Sequence, residues 1–419
     1  MIALPDDIGK EIKQRVASLT PEVIEIRRNI HRHPERSKRE QKTADLVSDY
    51  LIQLGYETVR GAAIHSVTAV LNGRKEGKTI GLRADMDALK LQEQTGLPFA
   101  SEVEGVMHAC GHDAHTAILL GAAKILADMN QSVPGKVKFL FQPSEEAFPG
   151  GALPMIEEGV MENPTVDAAL ALHLDSALPT GCISIRPGPS IGGVTAVNIK
   201  VKGPGGHFSR PKDTVDPIVV ASQVIVALQS MVTRQLDYWQ PFVLTFGQII
   251  GGTRDNIIPE EVIIRGDMAS MDDSLREEAE EHIERLIKGV TEGFGASGEV
   301  QFWRGYPTLH NDPEMAALVS ELGAGIVGED NVKTPEPNLG GEDFAYFAQK
   351  VPAALWFLGA WDRNKHKAPT HHHDPKFDPD EACIPLGMEL MVASALEYLF
   401  RKNPIVGKVE DAADPRRQE

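Results

Sequence analysis

The sequence predicts an α/β protein: a mostly parallel sheet with flanking helices over residues 1–184 and 305–419, interrupted by an inserted ferredoxin-like α+β domain over 185–304. Over residues 21–173, helix-period segments alternate with short apolar runs, which implies right-handed crossovers on a largely parallel sheet. From Val194 to Trp303 the order becomes strand, helix, two strands, helix, strand, the βαββαβ order of a ferredoxin-like sandwich. An apolar strand, Ala353–Leu358, then returns, so the smaller unit reads as an insertion. The chain has 419 residues, and a single core rarely grows past about 250–300.

Taken in order, Val23, Ile26 and Ile30 mark one amphipathic helix, and Ala44, Val47, Tyr50, Leu51 and Leu54 a second, with His31-Arg32-His33-Pro34-Glu35 between them. Helix gives way at Gly55 to strands at Ser66–Leu71 and Thr79–Ala84, the latter running into Asp85-Met86-Asp87. Next, Ala114, Ile118, Ala122, Ile125 and Met129 recur at helix spacing, so that the donor-rich stretch Gly105–His115 lies on a turn entering a helix. Lys136–Gln142 reads as a strand ending at Pro143-Ser144-Glu145-Glu146, and Ala168–Leu172 as another ending at His173. The insertion comprises Val194–Val201, the helix Asp216–Val232, Phe242–Ile250, Glu261–Met268, the helix Asp272–Gly293 and Gly298–Trp303. Beyond it, Asp312-Pro313 opens a helix with N-cap and N1 chemistry. The polar stretch from Arg401 to Glu419 reads as disordered.

Charge and cysteine content narrow the setting. Forty-two Lys and Arg against 60 Asp and Glu give a net charge of −18, which argues against nucleic acid or an anionic membrane as the main partner. Cys110, Cys182 and Cys383 are too few, and odd in number, for a disulfide framework, so a reducing compartment is expected. Asp6 and Asp7 without an apolar run behind them argue against a signal peptide, and no spanning segment is expected; the cytoplasm follows.

In open α/β sheets ligands bind beyond the carboxyl ends of the strands. Asp85 and Asp87, Glu145 and Glu146, and His173 all follow strand ends, while Cys110 and His112 precede a helix, so one crevice can gather them. Thr370-His371-His372-His373-Asp374-Pro375 offers a further imidazole. Thiolate, imidazole and carboxylate together suit zinc, with manganese, cobalt or nickel also compatible. Two such ions about 3.5–4 Å apart would turn water into a nucleophile and clamp a developing oxyanion. Adjacent Glu145 and Glu146 divide naturally, one to bind metal and one to hold the water's proton, because successive side chains of an extended segment point different ways.

These motifs carry a resemblance. The quoted stretches, together with Arg83–Leu89, Gly205-Gly206-His207, Gly341-Glu342-Asp343-Phe344 and His373–Phe377, resemble amidohydrolases of the aminoacylase and carboxypeptidase metallopeptidase family. The branch is that of the hippurate, indole-acetyl-amino-acid and N-acyl-amino-acid hydrolases. The resemblance implies a zinc-peptidase-like catalytic domain holding two divalent ions, interrupted by a dimerisation domain that makes a homodimer. It implies Cys110, His112, Glu146, His173 and His373 as metal ligands and Glu145 as general base. His207 would stabilise the oxyanion, Asn256 would hold substrate, and Asp85 or Asp87 would orient a ligand imidazole. The implied reaction is hydrolysis of a small N-acyl amino acid; the alternatives are cleavage of short peptides at the same site and, from a different class, a catalytically inactive metal-binding or regulatory protein. Relatives usually carry an arginine where this chain has Ala269; Arg265, four residues back on the same strand face, is the candidate to replace it.

Overall fold

The computed structural model describes residues 4–61, 65–365 and 367–401. The polar tail expected to be disordered lies, past Arg401, outside the described residues. The chain forms two compact units, one of Met1–Gly188, His310–Pro335 and Tyr346–Glu419, the other of Pro189–Leu309 and Glu336–Ala345.

The larger unit is built on an eight-stranded sheet in the order Thr58–Arg60, Val67–Asn72, Lys136–Gln142, Thr79–Asp85, Ala168–Pro179, Ala353–Trp361, Ile183–Ser184, Val332–Lys333. Its centre is parallel: Thr79–Asp85 pairs that way with both neighbours, and Ala168–Pro179 with Ala353–Trp361. Thr58–Arg60 and Val67–Asn72 extend it antiparallel. The central strands are apolar without alternation and buried on both faces, as Ile80, Leu82, Phe139, Phe141 and Leu170 are.

Helix Asp6–Arg32 is longer than the sequence suggests and runs straight through Pro21. A proline inside a helix costs about 3 kcal/mol. Here Ile12, Val16, Leu19 and Val23 form one buried stripe on both sides of it, and packing prevails over local propensity. The stripe meets helices His112–Asp128 and Ile384–Phe400 at Gly121, where an added Cβ would lie 2.4 Å from Met388 Sδ and 2.9 Å from Val23 Cγ2. Strand Ala168–Pro179 corrects another expectation. It continues past His173, because Leu172, Leu174 and Ser176 stay buried on one face while His173 and Asp175 turn to the other.

The smaller unit is a four-stranded antiparallel sheet in the order Phe242–Gly251, Glu261–Ser270, Gly193–Lys202, Ser297–Arg304, with helices Pro217–Arg234 and Asp273–Gly293 on one face. That is the ferredoxin-like arrangement. Strict alternation of buried and half-buried residues along Gly193–Lys202 turns Val197, Ile199 and Val201 to Val220, Val224, Leu228 and Ile283. Both helices start on aspartates that accept backbone N–H bonds: Asp216 from Ile218, and Asp272 from Ser274 and Leu275. Among the described residues, two segments, Pro217–Arg234 and Glu381–Phe400, are long and apolar enough, by length and composition alone, to cross a membrane. The second is apolar because it lies in the core of the larger unit, and the first turns Val220, Val224 and Leu228 onto its sheet.

Candidate metal centre

The centre is assembled at the strand ends of the larger unit. Thr79–Asp85 delivers Asp85 as its last residue and Asp87 two residues on; Lys136–Gln142 delivers the turn Pro143–Glu146. Cys110 stands before helix His112–Asp128, with Gly111 between them at φ 92°. A side chain there would be strained by that φ and would meet Leu174 at 2.9 Å. The loop 371–373 is tied to the same stretch by the His373 N–H, which donates to the Ala109 carbonyl at 2.8 Å.

Among the described residues, three of the groups of potential ligand atoms that lie within 4.8 Å of one another are Cys110, His112 and His173; Cys110, Glu146 and His373; and His112, Glu145 and Glu146. Cys110 is common to the first two, so the donors form two overlapping sets around one sulfur. Its Sγ lies 3.4 Å from His173 Nε2, and His373 Nε2 lies 3.1 Å from Glu146 Oε1. His112 Nε2 is buried and has no hydrogen-bond partner among the described residues. Its other nitrogen is held, Nδ1–H donating to the Asp87 carbonyl at 2.9 Å, with Asp87 Oδ1 at 3.3 Å. His173 is fixed likewise, Nδ1–H donating to the Leu174 carbonyl at 2.7 Å. Such bonds leave each Nε2 lone pair free for a cation, the usual arrangement of metal-binding imidazoles. Burial, and then the Glu146 charge, push the Cys110 thiol well above its ordinary range. A divalent cation reverses that balance, so these residues fit bound metal.

Asp85, His112 and His115 also approach within 4.8 Å, but His115 has no lone pair to give. Its Nδ1–H donates to Asp85 Oδ1 at 2.6 Å, and its Nε2 accepts the Leu174 N–H at 2.8 Å. Burial outweighs Asp85 and lowers His115 to about 4, which keeps the ring neutral. Asp85 is further clamped by Arg83 Nη1 at 2.6 Å. Asp87 does more: besides orienting His112 it accepts the Glu145 N–H on Oδ1 and the Glu146 N–H on Oδ2, each at 3.0 Å, and the Ser37 hydroxyl at 2.6 Å.

Comparison with known proteins bears on this arrangement. The sequence pattern of Peptidase family M20/M25/M40 matches residues 81–397. The chain belongs to that family. It is similar to thermostable carboxypeptidase 1 of Saccharolobus solfataricus, 40% identical over 385 residues, which are 91% of this chain and 96% of that one. It is similar also to an N-acyl-L-amino acid amidohydrolase of Geobacillus stearothermophilus, 42% identical over 304 residues, 72% of this chain and 82% of that one. Among solved structures, the Bacillus subtilis YXEP protein, a dinuclear metal binding peptidase of the M20 family, superposes with a TM-score of 0.79 at 32% identity, over 91% of this chain and 99% of its own.

For a member of this family, several neighbours of the donors carry little or no sequence signal. His372, not singled out by its motif, puts Nδ1 3.8 Å from Cys110 Sγ and its ring against His173 and Phe377. Behind His112, Arg27 Nε lies 2.7 Å from Asp113 Oδ2 and His31 Nδ1 2.8 Å from the same oxygen, all three side chains fully buried. The i, i+4 spacing of Arg27 and His31 on an otherwise apolar helix face was the available signal. Glu40 was missed without one.

In the smaller unit, His207 sits on the short strand Gly206–His207, paired with Ile257–Ile258, and its Nδ1 lies 2.8 Å from Ser209 Oγ. Asn256 is beside it, its carbonyl accepting the Phe208 N–H at 3.3 Å. Arg265 lies on Glu261–Ser270, exposed, opposite Gln248 and Asn198. Ala269 on the same strand is buried opposite Val243 and Val194. Four residues of strand separate the two by about 13 Å.

Proposed function

We propose that the protein hydrolyses the amide bond of N-acyl amino acids, using Cys110, His112, Glu146, His173 and His373 to hold two divalent ions and Glu145 as the general base. It is a metal-dependent amidohydrolase. The observation that carries the reading is the pair of ligand sets sharing Cys110, with Glu145 and Glu146 adjoining His112. Bound divalent ions would acidify water and polarise the scissile carbonyl. Zinc suits the thiolate and imidazole donors best, with manganese, cobalt and nickel compatible.

The side chains do the rest. Glu145 takes the proton of the attacking water and returns it to the leaving nitrogen. Asp87 holds His112 in one tautomer and fixes the backbone of both glutamates. His207 is assigned the stabilisation of the oxyanion and Asn256 a contact to substrate; their adjacency on one short ribbon supports a shared task. Domains 1–184 with 305–419, and 185–304, are the proposed catalytic and dimerisation parts of a cytoplasmic homodimer. Three free cysteines support the compartment. Exposed Ile218, Val219 and Val226 on one helix and Val243, Ile249 and Ile250 on the edge strand support self-association.

The similarity to a carboxypeptidase favours a second reading, cleavage of short peptides at the same centre. Acetyl, benzoyl and indole-acetyl amino acids assayed beside dipeptides on metal-defined protein separate the two. Glu145→Gln is the decisive variant. It keeps metal content and melting temperature and loses turnover by about 10²–10⁴-fold. Undiminished turnover in that variant would refute the mechanism.

A further inference from the structure

We infer that Glu40 is a positioning residue, whose carboxylate fixes the left-handed turn at Ser144 and thereby the direction in which Glu145 is presented. The inference rests on Glu145 being the general base. Glu40 is fully buried at the start of helix Gln41–Gln53, yet its side chain makes no cap bond to that helix. It reaches instead across 104 residues of sequence. Its Oε1 accepts the Ser144 N–H at 2.8 Å, the Ser144 hydroxyl at 3.1 Å and the Lys38 N–H at 3.0 Å. The Lys38 N–H also lies 2.8 Å from Ser144 Oγ, closing the knot.

Both residues gathered here are unusual. Among the described residues, four that are not glycine have positive φ, and two of them are Lys38 at 68° and Ser144 at 61°. One carboxylate therefore holds two conformations that L-residues resist. The consequence falls on the next residue. In an extended segment side chains alternate between faces, and a single left-handed residue resets that alternation. Ser144 is that residue, placed between strand Lys136–Gln142 and the two glutamates.

The N–H groups of Ser144, Glu145 and Glu146 thus all end on two buried carboxylates, the first on Glu40 and the others on Asp87. Ser37 Oγ bonds Asp87 and its neighbour Lys38 bonds Glu40, so the loop before the helix braces both acceptors. Burial, and then the Asp87 charge, push the Glu40 carboxyl up to about 7. A side chain needed only to fill space would be easier to accommodate there without an ionisable group.

The test compares Glu40→Met, Glu40→Gln and Glu145→Gln in the full-length, metal-loaded enzyme, reading kcat, KM, bound metal and melting temperature. Glutamine keeps the accepting oxygen and methionine removes it. Glu40→Met lowers kcat about 10- to 100-fold, since small misplacements of a catalytic group have effects of that order. KM stays within about twofold, as does metal content, and Glu40→Gln recovers most of the loss. Ser144→Val, which disfavours the left-handed conformation, lowers kcat in the same way and serves if Glu40→Met does not fold. Wild-type kcat in both Glu40→Met and Ser144→Val overturns the inference, as does a fall in kcat that follows metal loss and that glutamine does not rescue. An active Glu145→Gln enzyme instead removes the general-base reading beneath it, so the two failures are distinct.

Discussion

Replacing Asp87 by asparagine tests whether one buried carboxylate organises the centre. Asp87 is 1% exposed and accepts on both oxygens: Oδ1 takes the Glu145 N–H and faces His112 Nδ1, while Oδ2 takes the Glu146 N–H and the Ser37 hydroxyl. Asparagine has one accepting oxygen. Whichever way its amide is turned, an NH₂ group faces a backbone N–H, leaving two buried donors in contact. A buried donor without a partner costs about 1–3 kcal/mol, and a hydrogen bond to a charged group contributes about 1.5–3 kcal/mol. The folded state without metal is therefore expected to lose about 2–4 kcal/mol, measured by urea denaturation after chelation. Loss of the brace on His112 lowers metal affinity about 10- to 100-fold, read by calorimetric titration with zinc. Wild-type affinity and wild-type stability together would show that Asp87 organises nothing.

The remaining predictions concern the buried charges and the histidine run. Arg27→Met leaves the buried Asp113 charge with His31 as its remaining partner and costs about 3–5 kcal/mol in urea denaturation, whereas Arg27→Met with Asp113→Asn recovers a large part; a single-variant cost below about 1 kcal/mol contradicts this. Despite burial, Arg27 and His31 hold the Asp113 carboxyl well below its ordinary range, so its contribution is fully present above the unfolded value near pH 4 and is lost as pH falls further. The wild-type advantage over Arg27→Met accordingly persists from pH 7 to 5 and shrinks only below about 4. His373→Ala loses bound metal by elemental analysis while His372→Ala keeps it and melts lower, because His373 shares a ligand set with Cys110 and Glu146 whereas His372 packs on His173 and Phe377. Equal metal in the two variants assigns the loop's role wrongly.

The fold was legible where local chemistry and tertiary structure agree. Lys136–Gln142 was readable to the residue because its apolar run stops at Pro143, and helix Asp273–Gly293 because Asp272 caps it and its buried residues keep helix spacing. Ile183–Ser184 and Val332–Lys333 were not, since two residues carry no period. The antiparallel edge at Val67–Asn72 was equally hidden, because strand direction is decided by the connection and not by composition. Residues 6–20 of the first helix were passed over at Pro21, where the deciding term is a stripe packed against elements far along the chain.

The same division runs through the centre. Ligand types announce themselves, because a thiol, imidazoles and adjacent carboxylates at strand ends are rare enough together to suggest a metal before any geometry is known. Residues that hold those ligands do not. Glu40 is one acidic residue among many until Ser144, 104 positions away, brings its N–H to it, and Asp113 reads as an ordinary helix-start aspartate until Arg27 and His31 arrive from another helix. A ligand is specified by its own chemistry, a positioning group by its distance to something else. It follows that substitutions which keep every metal donor can still remove activity, and that Glu40, Asp87 and Arg27 are where such losses will concentrate.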